Sequence, residues 1–350
     1  MRQARSPDEN WRNPLFALRR LARLTTIEPA RFAPALAADQ AALLGARIAP
    51  GQRAALCAGG RKLPARAVFL ASPTPRSGTN YVEALIAAHP GVAISPCGVR
   101  EAPFLPEADR MLQFERGFAR RHRDNAERIA PYEFLAHAAT GFLARAAAEA
   151  PAAEAIVLKD PHARRLELLP AIMPEALVVL VLRDGRRTVD SMARTWPPRF
   201  PGRTFEDMCL EWALATEAAL DFAARAPAEV LTLRYEDAVA HPAEAAQAVW
   251  RRLGLGAARD CEARLAMVPV MGSSTHSRGA EGVDWRPRAP SADFDPAGRP
   301  VSWTRAQERA FARRAARVQA RLDREHPVGA APGGAARAPV PGRPAFGKVG

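Results

Sequence analysis

The chain has 350 residues, 48% of them hydrophobic, and its 50 lysines and arginines against 37 aspartates and glutamates give a formal net charge of +13. That profile suits one large globular domain with extensions; no apolar run is long enough to span a bilayer, and the polar start MRQARSPDENWRN lacks a secretory pattern, so a cytoplasmic protein is expected. Cys57, Cys97, Cys209 and Cys261 are too scattered for a zinc site or a disulfide framework, and the basic balance favours anionic partners without choosing among nucleotides, acidic glycans, nucleic acid and membrane surfaces.

Residues 1–60 read as a helical extension. From Pro14 to Leu24, Leu15, Leu18 and Leu21 fall near one face with Arg19, Arg20 and Arg23 around the others, a pattern that either packs on its own domain or makes a peripheral membrane contact. Cys57 to Lys62, broken by Gly59 and Gly60, is the expected linker into a main domain spanning 61–326. The stretch 327–350 is rich in proline, glycine and alanine and is expected to be disordered.

Ala67 to Ala71 is a short buried strand, Ser72 to Pro75 break it, and helical periodicity begins at Thr79. Gly78 lets backbone approach a ligand closely, and the helix start offers unpaired N–H groups, so the loop suits a phosphate or sulfate. It is not a Walker A loop: Arg76 precedes the glycine and no Gly-Lys-Ser/Thr follows. The helix from Asn80 should stop at His89-Pro90-Gly91, ahead of a strand at Val92 to Ser95 whose exit carries Glu101 into the crevice at the strand ends.

Residues 106–150 are expected to be helical, with Phe134, Leu135, Ala138, Phe142 and Leu143 on one stripe. The arginine-rich stretch Glu115 to Arg128 is either a wall of an acceptor groove or a solvated face. A third strand, Ala155 to Leu158, delivers Lys159 and then His162 to the same crevice. A fourth, Ala176 to Leu182, ends at Arg183, and Ser191 lies on the helix that returns beside it, so a guanidinium and a hydroxyl can serve one phosphate. Thr204 and Asp207 form a capping-box variant opening a helix with core positions Met208, Trp212 and Leu220. A strand at Val230 to Arg234, a helix to Leu253, a glycine-rich loop from Val268 to Trp285 and a basic helix from Trp303 to Leu322 follow.

Pro75 to Tyr81, P-R-S-G-T-N-Y, resembles the 5′-phosphosulfate loop of sulfotransferases that use 3′-phosphoadenosine 5′-phosphosulfate (PAPS). Arg183 to Ser191 resembles their 3′-phosphate motif R-D-P-R-x-x-x-x-S, with Gly185 in place of the usual proline. Arg100, Glu101 and Phe104 resemble the K-E-x-x-F-F element of carbohydrate members, and the pattern L-R-Y-E-D, H-P and L-G-L between Leu233 and Leu255 is similar to another family hallmark. The loop with Arg278 and Gly279 resembles a late Arg-Lys-Gly element without its lysine.

The resemblance implies an α/β, P-loop-like three-layer fold with a central parallel sheet flanked by helices, closest in wording to bacterial, carbohydrate and tyrosylprotein members. It implies in-line transfer of a sulfuryl group from PAPS to a hydroxyl acceptor, whether a glycan, a lipid-linked sugar or a small molecule, with no metal. Arg76, Ser77, Gly78, Thr79, Asn80 and Tyr81 would hold the donor's 5′ end, Tyr81 at the adenine-stacking position. Arg183, Ser191, Arg278 and Gly279 would hold its 3′-phosphate. Glu101 would be the general base, its basicity raised by apolar neighbours, with His162 as its rival. Arg76 and Lys159 would stabilise the transferring group. Two alternatives stand beside this: a P-loop kinase needing Mg²⁺ and ATP, and a basic nucleic-acid-binding adaptor with steep salt dependence. The sulfotransferase reading expects no nucleic-acid partner.

Overall fold

The computed structural model describes residues 66–330 apart from 95–97, 103–104, 106–107, 127–128, 130–131, 163–164, 174–175, 199–201, 227–229, 257–259, 270, 272–286 and 290–299. The expected helix at 14–24, the linker at 57–62, Phe104, Arg278, Gly279 and the tail from 331 lie outside the described residues.

In chain order the elements are β1 Arg66–Ala71, α1 Thr79–Ile86, β2 Val92–Ile94, α2 Ala108–Arg121, α3 Arg123–Ala126, α4 Glu133–Glu149, β3 Ala155–Asp160, a 3-10 turn Leu166–Leu168, α5 Leu169–Ile172, β4 Leu177–Leu182, α6 Gly185–Thr195, α7 Phe205–Arg225, β5 Val230–Arg234, α8 Tyr235–Ala240, α9 Pro242–Leu253, α10 Cys261–Ala266, α11 Arg305–Arg314 and α12 Ala316–Glu325. The strands form one sheet in the order β2-β3-β1-β4-β5, and every neighbouring pair is parallel. A parallel sheet must be covered on both faces, which is why β3 and β4 are near-continuous apolar runs.

Side chains sort by strand alternation. Ala67, Phe69 and Ala71 of β1 share one core with Ile156, Leu158, Val178 and Leu180 and with residues of α4, α7, α11 and α12. Val68 and Leu70 face the other core with Val157, Val179, Val181 and Leu231 and with residues of α1 and α9. Each fully buried large apolar side chain contributes roughly 1.5–3 kcal/mol. These are the three layers that the sequence implies. Because β1 sits between β3 and β4, the loop leaving β1 is flanked by the exits of both, the place where open parallel sheets bind ligands.

Local chemistry sets the ends of the helices. Thr204 and Asp207 form the expected capping box, Asp207 N–H donating to Thr204 Oγ1 at 3.2 Å and Thr204 N–H to Asp207 Oδ2 at 2.8 Å. The indole of Trp250 on α9 donates to the Ile86 carbonyl at 2.9 Å, fixing the far end of α1.

Three expectations change. Lys159 lies inside β3, not beyond it, because pairing with β1 continues through Leu70↔Lys159 and Ala71↔Asp160. The buried stripe of α4 is Leu135, Ala136, Ala139, Leu143, Ala146 and Ala147, while Ala138 is exposed and Phe134 turns aside to meet Phe114 and Phe118 edge-on. The basic helix from Trp303 is two helices: a Thr304–Gln307 capping box starts α11 at Arg305, and buried Ala315, at φ −125°, ends it and turns α12 inward.

Gly185 has a steric reason. A Cβ there would lie 2.5 Å from the Trp212 ring, which is only 1% exposed, and the Gly185 N–H donates to Gln319 Oε1 of α12 at 2.7 Å, a bond that proline could not make. Gly185→Ala should therefore lower stability by about 1–3 kcal/mol through overpacking. Urea denaturation followed by tryptophan fluorescence checks this; an unchanged midpoint would mean that Trp212 moves aside freely.

Candidate active site

The phosphate loop is tied down from within. Ser77 Oγ donates to the Thr74 carbonyl at 2.8 Å, and buried Ser72 Oγ lies 2.9 Å from the same carbonyl and 3.1 Å from that of Pro161 at the exit of β3. Arg76 and Gly78 both adopt the left-handed conformation, at φ 76° and 93°. For Gly78 this is a requirement twice over, since a Cβ would also run into the Tyr235 ring at the exit of β5. Gly78 starts α1 without a side-chain cap on the helix end. The N-terminal dipole and N–H groups of α1 can therefore serve an anion.

The second motif grips the first. Arg183, just past β4, donates from Nη1 to the Arg76 carbonyl at 2.8 Å, with its guanidinium 4.5 Å from the centre of the Tyr235 ring. In return Arg76 Nε donates to Ser191 Oγ on α6 at 3.1 Å. Arg76 thus bonds directly to Ser191 of the second motif. Asp184 caps α6 by accepting from Arg187 N–H at 2.9 Å, and the Asp184 N–H donates to Glu236 Oε1 at 2.9 Å. Burial pushes the Asp184 carboxyl up, and the charge of Glu236 adds to that. Glu236 in turn holds Arg234 at 3.1 Å, and Arg234 reaches Asp323 of α12 at 3.2 Å. The N–H groups of Asp184, Gly185 and Arg187 at the start of α6 are thus already engaged.

On the other flank, Lys159 Nζ donates to Asn80 Oδ1 at 2.6 Å and to Glu83 Oε2 at 2.9 Å, both from α1. Burial pushes the Glu83 carboxyl up, Lys159 pulls it down, and the charge of Glu101 pushes in the same direction as burial. The Ala102 N–H donates to the Lys159 carbonyl at 2.7 Å, which pins Glu101 at the end of β3. Glu101 itself is exposed, so the expected apolar surroundings are not what frames it. Two residues past β3, His162 is oriented by buried Asp160: Oδ1 accepts from the His162 N–H at 3.0 Å and lies 3.3 Å from Nδ1.

Of the residues singled out from sequence, Arg76, Arg183 and Ser191 are joined by one set of contacts and Lys159 and Asn80 by another, with Glu101 beside Ala102, which bonds Lys159. Ser77 and Thr79 are buried supports, and Tyr81 is half-buried with its ring edge-on to Tyr235 at 6.2 Å. Sequence reasoning missed Glu83 and Gln319, and it read Tyr235 and Glu236 only as part of the L-R-Y-E-D pattern, with no contact to the phosphate loop or to Asp184. Glu83 had a signal: an acid on the buried side of α1 beside Val82, Leu85 and Ile86 is costly unless paired. Gln319 had none, because only tertiary packing brings α12 to Gly185.

Burial, reinforced by Tyr235, pushes the Tyr81 phenol from 10.0 up to about 12. The folded protein keeps a proton there that the unfolded chain loses, so this contribution is intact below pH 10 and is lost as pH rises towards 12. Ultraviolet titration should find an ionisation step near pH 12 that Tyr81→Phe removes; an unshifted phenol would contradict this packing.

Comparison with known proteins gives the same direction. A family model described as "Sulfotransferase family" matches residues 72–259. Over 175 residues, 48% of this chain, the sequence is 31% identical to "Protein-tyrosine sulfotransferase 1" of Danio rerio and covers 47% of it, so the chain spans about half the length of that curated relative. Similar solved structures include the sulfotransferase domain of the Synechococcus PCC 7002 olefin synthase, with TM-score 0.41, 17% identity and coverage of 62% of this chain and 81% of that one. Mouse sulfotransferase SULT7A1, solved with PAP, matches with TM-score 0.41, 14% identity and coverage of 76% and 89%. More than half of the chain, including both phosphate motifs, falls within the family's pattern, and the protein belongs to the sulfotransferase family.

Proposed function

We propose that the protein transfers a sulfuryl group from PAPS to a hydroxyl acceptor, within a catalytic unit spanning 61–326. The observation that carries this reading is the cross-grip of the two motifs, Arg183 on the Arg76 carbonyl and Arg76 on Ser191, with Lys159 beside them on Asn80. Three cations, Arg76 and Arg183 past the ends of β1 and β4 and Lys159 near the end of β3, suit a donor bearing phosphates at both ends of its ribose. PAPS, when bound, supplies a sulfuryl group already activated by its phosphate anhydride.

The chain's residues divide the work. Arg183 and Ser191 hold the 3′-phosphate, joined by Arg278 and Gly279 of the later loop. Ser77 to Asn80 and the start of α1 hold the 5′ end, and Tyr81 stacks on adenine. Glu101 takes the acceptor's proton as the acceptor oxygen bonds to sulfur and the bond from sulfur to the departing phosphate oxygen breaks. Arg76 and Lys159 offset the charge on the transferring group. A guanidinium does not give up a proton, so positioning and charge neutralisation carry the acceleration. A phenolic hydroxyl is the first acceptor to try, since the Danio rerio relative is named for protein tyrosine.

His162 offers a second reading of the base, favoured by its contact with Asp160, which is only 1% exposed. Single-turnover transfer from radiolabelled PAPS to a tyrosyl peptide or to water separates the two. Glu101→Gln should slow transfer by about 10²–10⁴-fold while leaving nucleotide affinity unchanged, the signature of a lost general base. If Glu101→Gln is active and His162→Ala is not, the Asp160–His162 pair is the base.

A further inference from the structure

Lysine is rare in this chain. Of its 50 basic residues three are lysines, Lys62, Lys159 and Lys348, and Lys159 alone falls among the described residues. Its side chain is 6% exposed and contacts a carboxylate, Glu83, that is 7% exposed. The second carboxylate oxygen, Glu83 Oε1, is buried with no hydrogen-bond partner among the described residues.

Such a pair makes little sense as a stabilising device. Taking both charges out of water costs free energy that their attraction only partly returns, and apolar side chains of similar volume often serve a core as well or better. Burial adds to that cost wherever a carboxylate oxygen lacks a hydrogen bond, as Glu83 Oε1 does among the described residues. Glu83 sits on the same buried stripe of α1 as Val82, Leu85 and Ile86, where an apolar residue would complete the packing. A compact ammonium, unlike the planar fork of a guanidinium, can be held as a point charge between two single oxygens, here Asn80 Oδ1 and Glu83 Oε2.

We propose that Glu83 is a positioning residue for sulfuryl transfer: its carboxylate fixes the Lys159 ammonium against Asn80 at the base of the phosphate loop, and it acts on the reaction only through Lys159. The inference rests on the sulfuryl-transfer reading above. It adds a residue outside both phosphate motifs and explains the charge arrangement around the base. The charges of Glu101 and Arg100 both act on Glu83, and Ala102, next to Glu101, bonds the Lys159 carbonyl at 2.7 Å. When Glu101 takes the acceptor's proton and becomes neutral, Glu83 remains as the carboxylate that balances Lys159. The ammonium then stays in place through the transfer instead of following the proton.

Two measurements on the full chain test this. With ¹⁵N-labelled lysine, the side-chain ammonium signal of Lys159 is assigned by its loss in Lys159→Met. Glu83→Ala should speed proton exchange of that ammonium by about tenfold or more, with Glu83→Gln intermediate because its amide oxygen still accepts a hydrogen bond. Unchanged exchange in Glu83→Ala would overturn the proposal. In the second, PAPS turnover is followed with radiolabel. Glu83→Gln should lower kcat by about tenfold or more with KM for PAPS within about twofold, and should cost nothing further in the Lys159→Met background. A full additional loss there, or an unaltered kcat in the single variant, would mean that Glu83 does not act through Lys159. A held ammonium in a wild-type protein that turns over no PAPS would instead overturn the sulfuryl-transfer reading, and the catalytic purpose of Glu83 with it.

Discussion

The site depends on the grip between two loops more than a hundred residues apart in sequence. Arg183 bonds the backbone of Arg76, and Arg76 bonds the side chain of Ser191. Neither contact forms unless β1 and β4 lie side by side and in register, as Phe69↔Val178 and Leu70↔Val179 do. The approach is close enough that Gly78 cannot carry a side chain against Tyr235. Hydrophobic burial builds the sheet, but these polar contacts decide where its loops stop.

Carboxylates accompany several of the cations at and behind the site. Arginines and a lysine brought together repel one another, and carboxylates paired with two of the nearby cations offset part of that repulsion. Glu83 and Asn80 brace Lys159, and Glu236 and Asp323 brace Arg234 behind the second motif. The two C-terminal helices extend this bracing. Arg186 pairs with Glu308 of α11, and Gln319 of α12 takes the Gly185 N–H. The Arg186–Glu308 pair, at the surface, contributes little to stability by itself, about 0–1 kcal/mol. Its value, like that of the Gln319 contact, lies in fixing α6, which carries Ser191.

Much of this was legible in the sequence. The runs read as strands at 67–71, 155–158, 176–182 and 230–234 are short, apolar and bounded by breakers, and the Thr204–Asp207 capping box announced its helix. The two phosphate motifs were readable because chemistry fixes residue types at local spacing. Strand order was not, since it depends on which helices cover which face. The stripe of α4 was misjudged by part of a turn because many of its positions are alanine, which fits either face. The break at Ala315 leaves no local mark, and the pairing of Glu83 with Lys159 spans 76 residues that no periodicity connects.

On the proposed function, two loops together recognise a nucleotide phosphorylated at both ends of its ribose. Calorimetric titration with 3′-phosphoadenosine 5′-phosphate tests it most directly, with 5′-AMP and with ATP plus Mg²⁺ as controls. The account predicts saturable binding that weakens by about tenfold or more when the 3′-phosphate is absent or Arg183 is replaced by alanine. Equal affinity for 5′-AMP, or a preference for ATP with Mg²⁺, would contradict it.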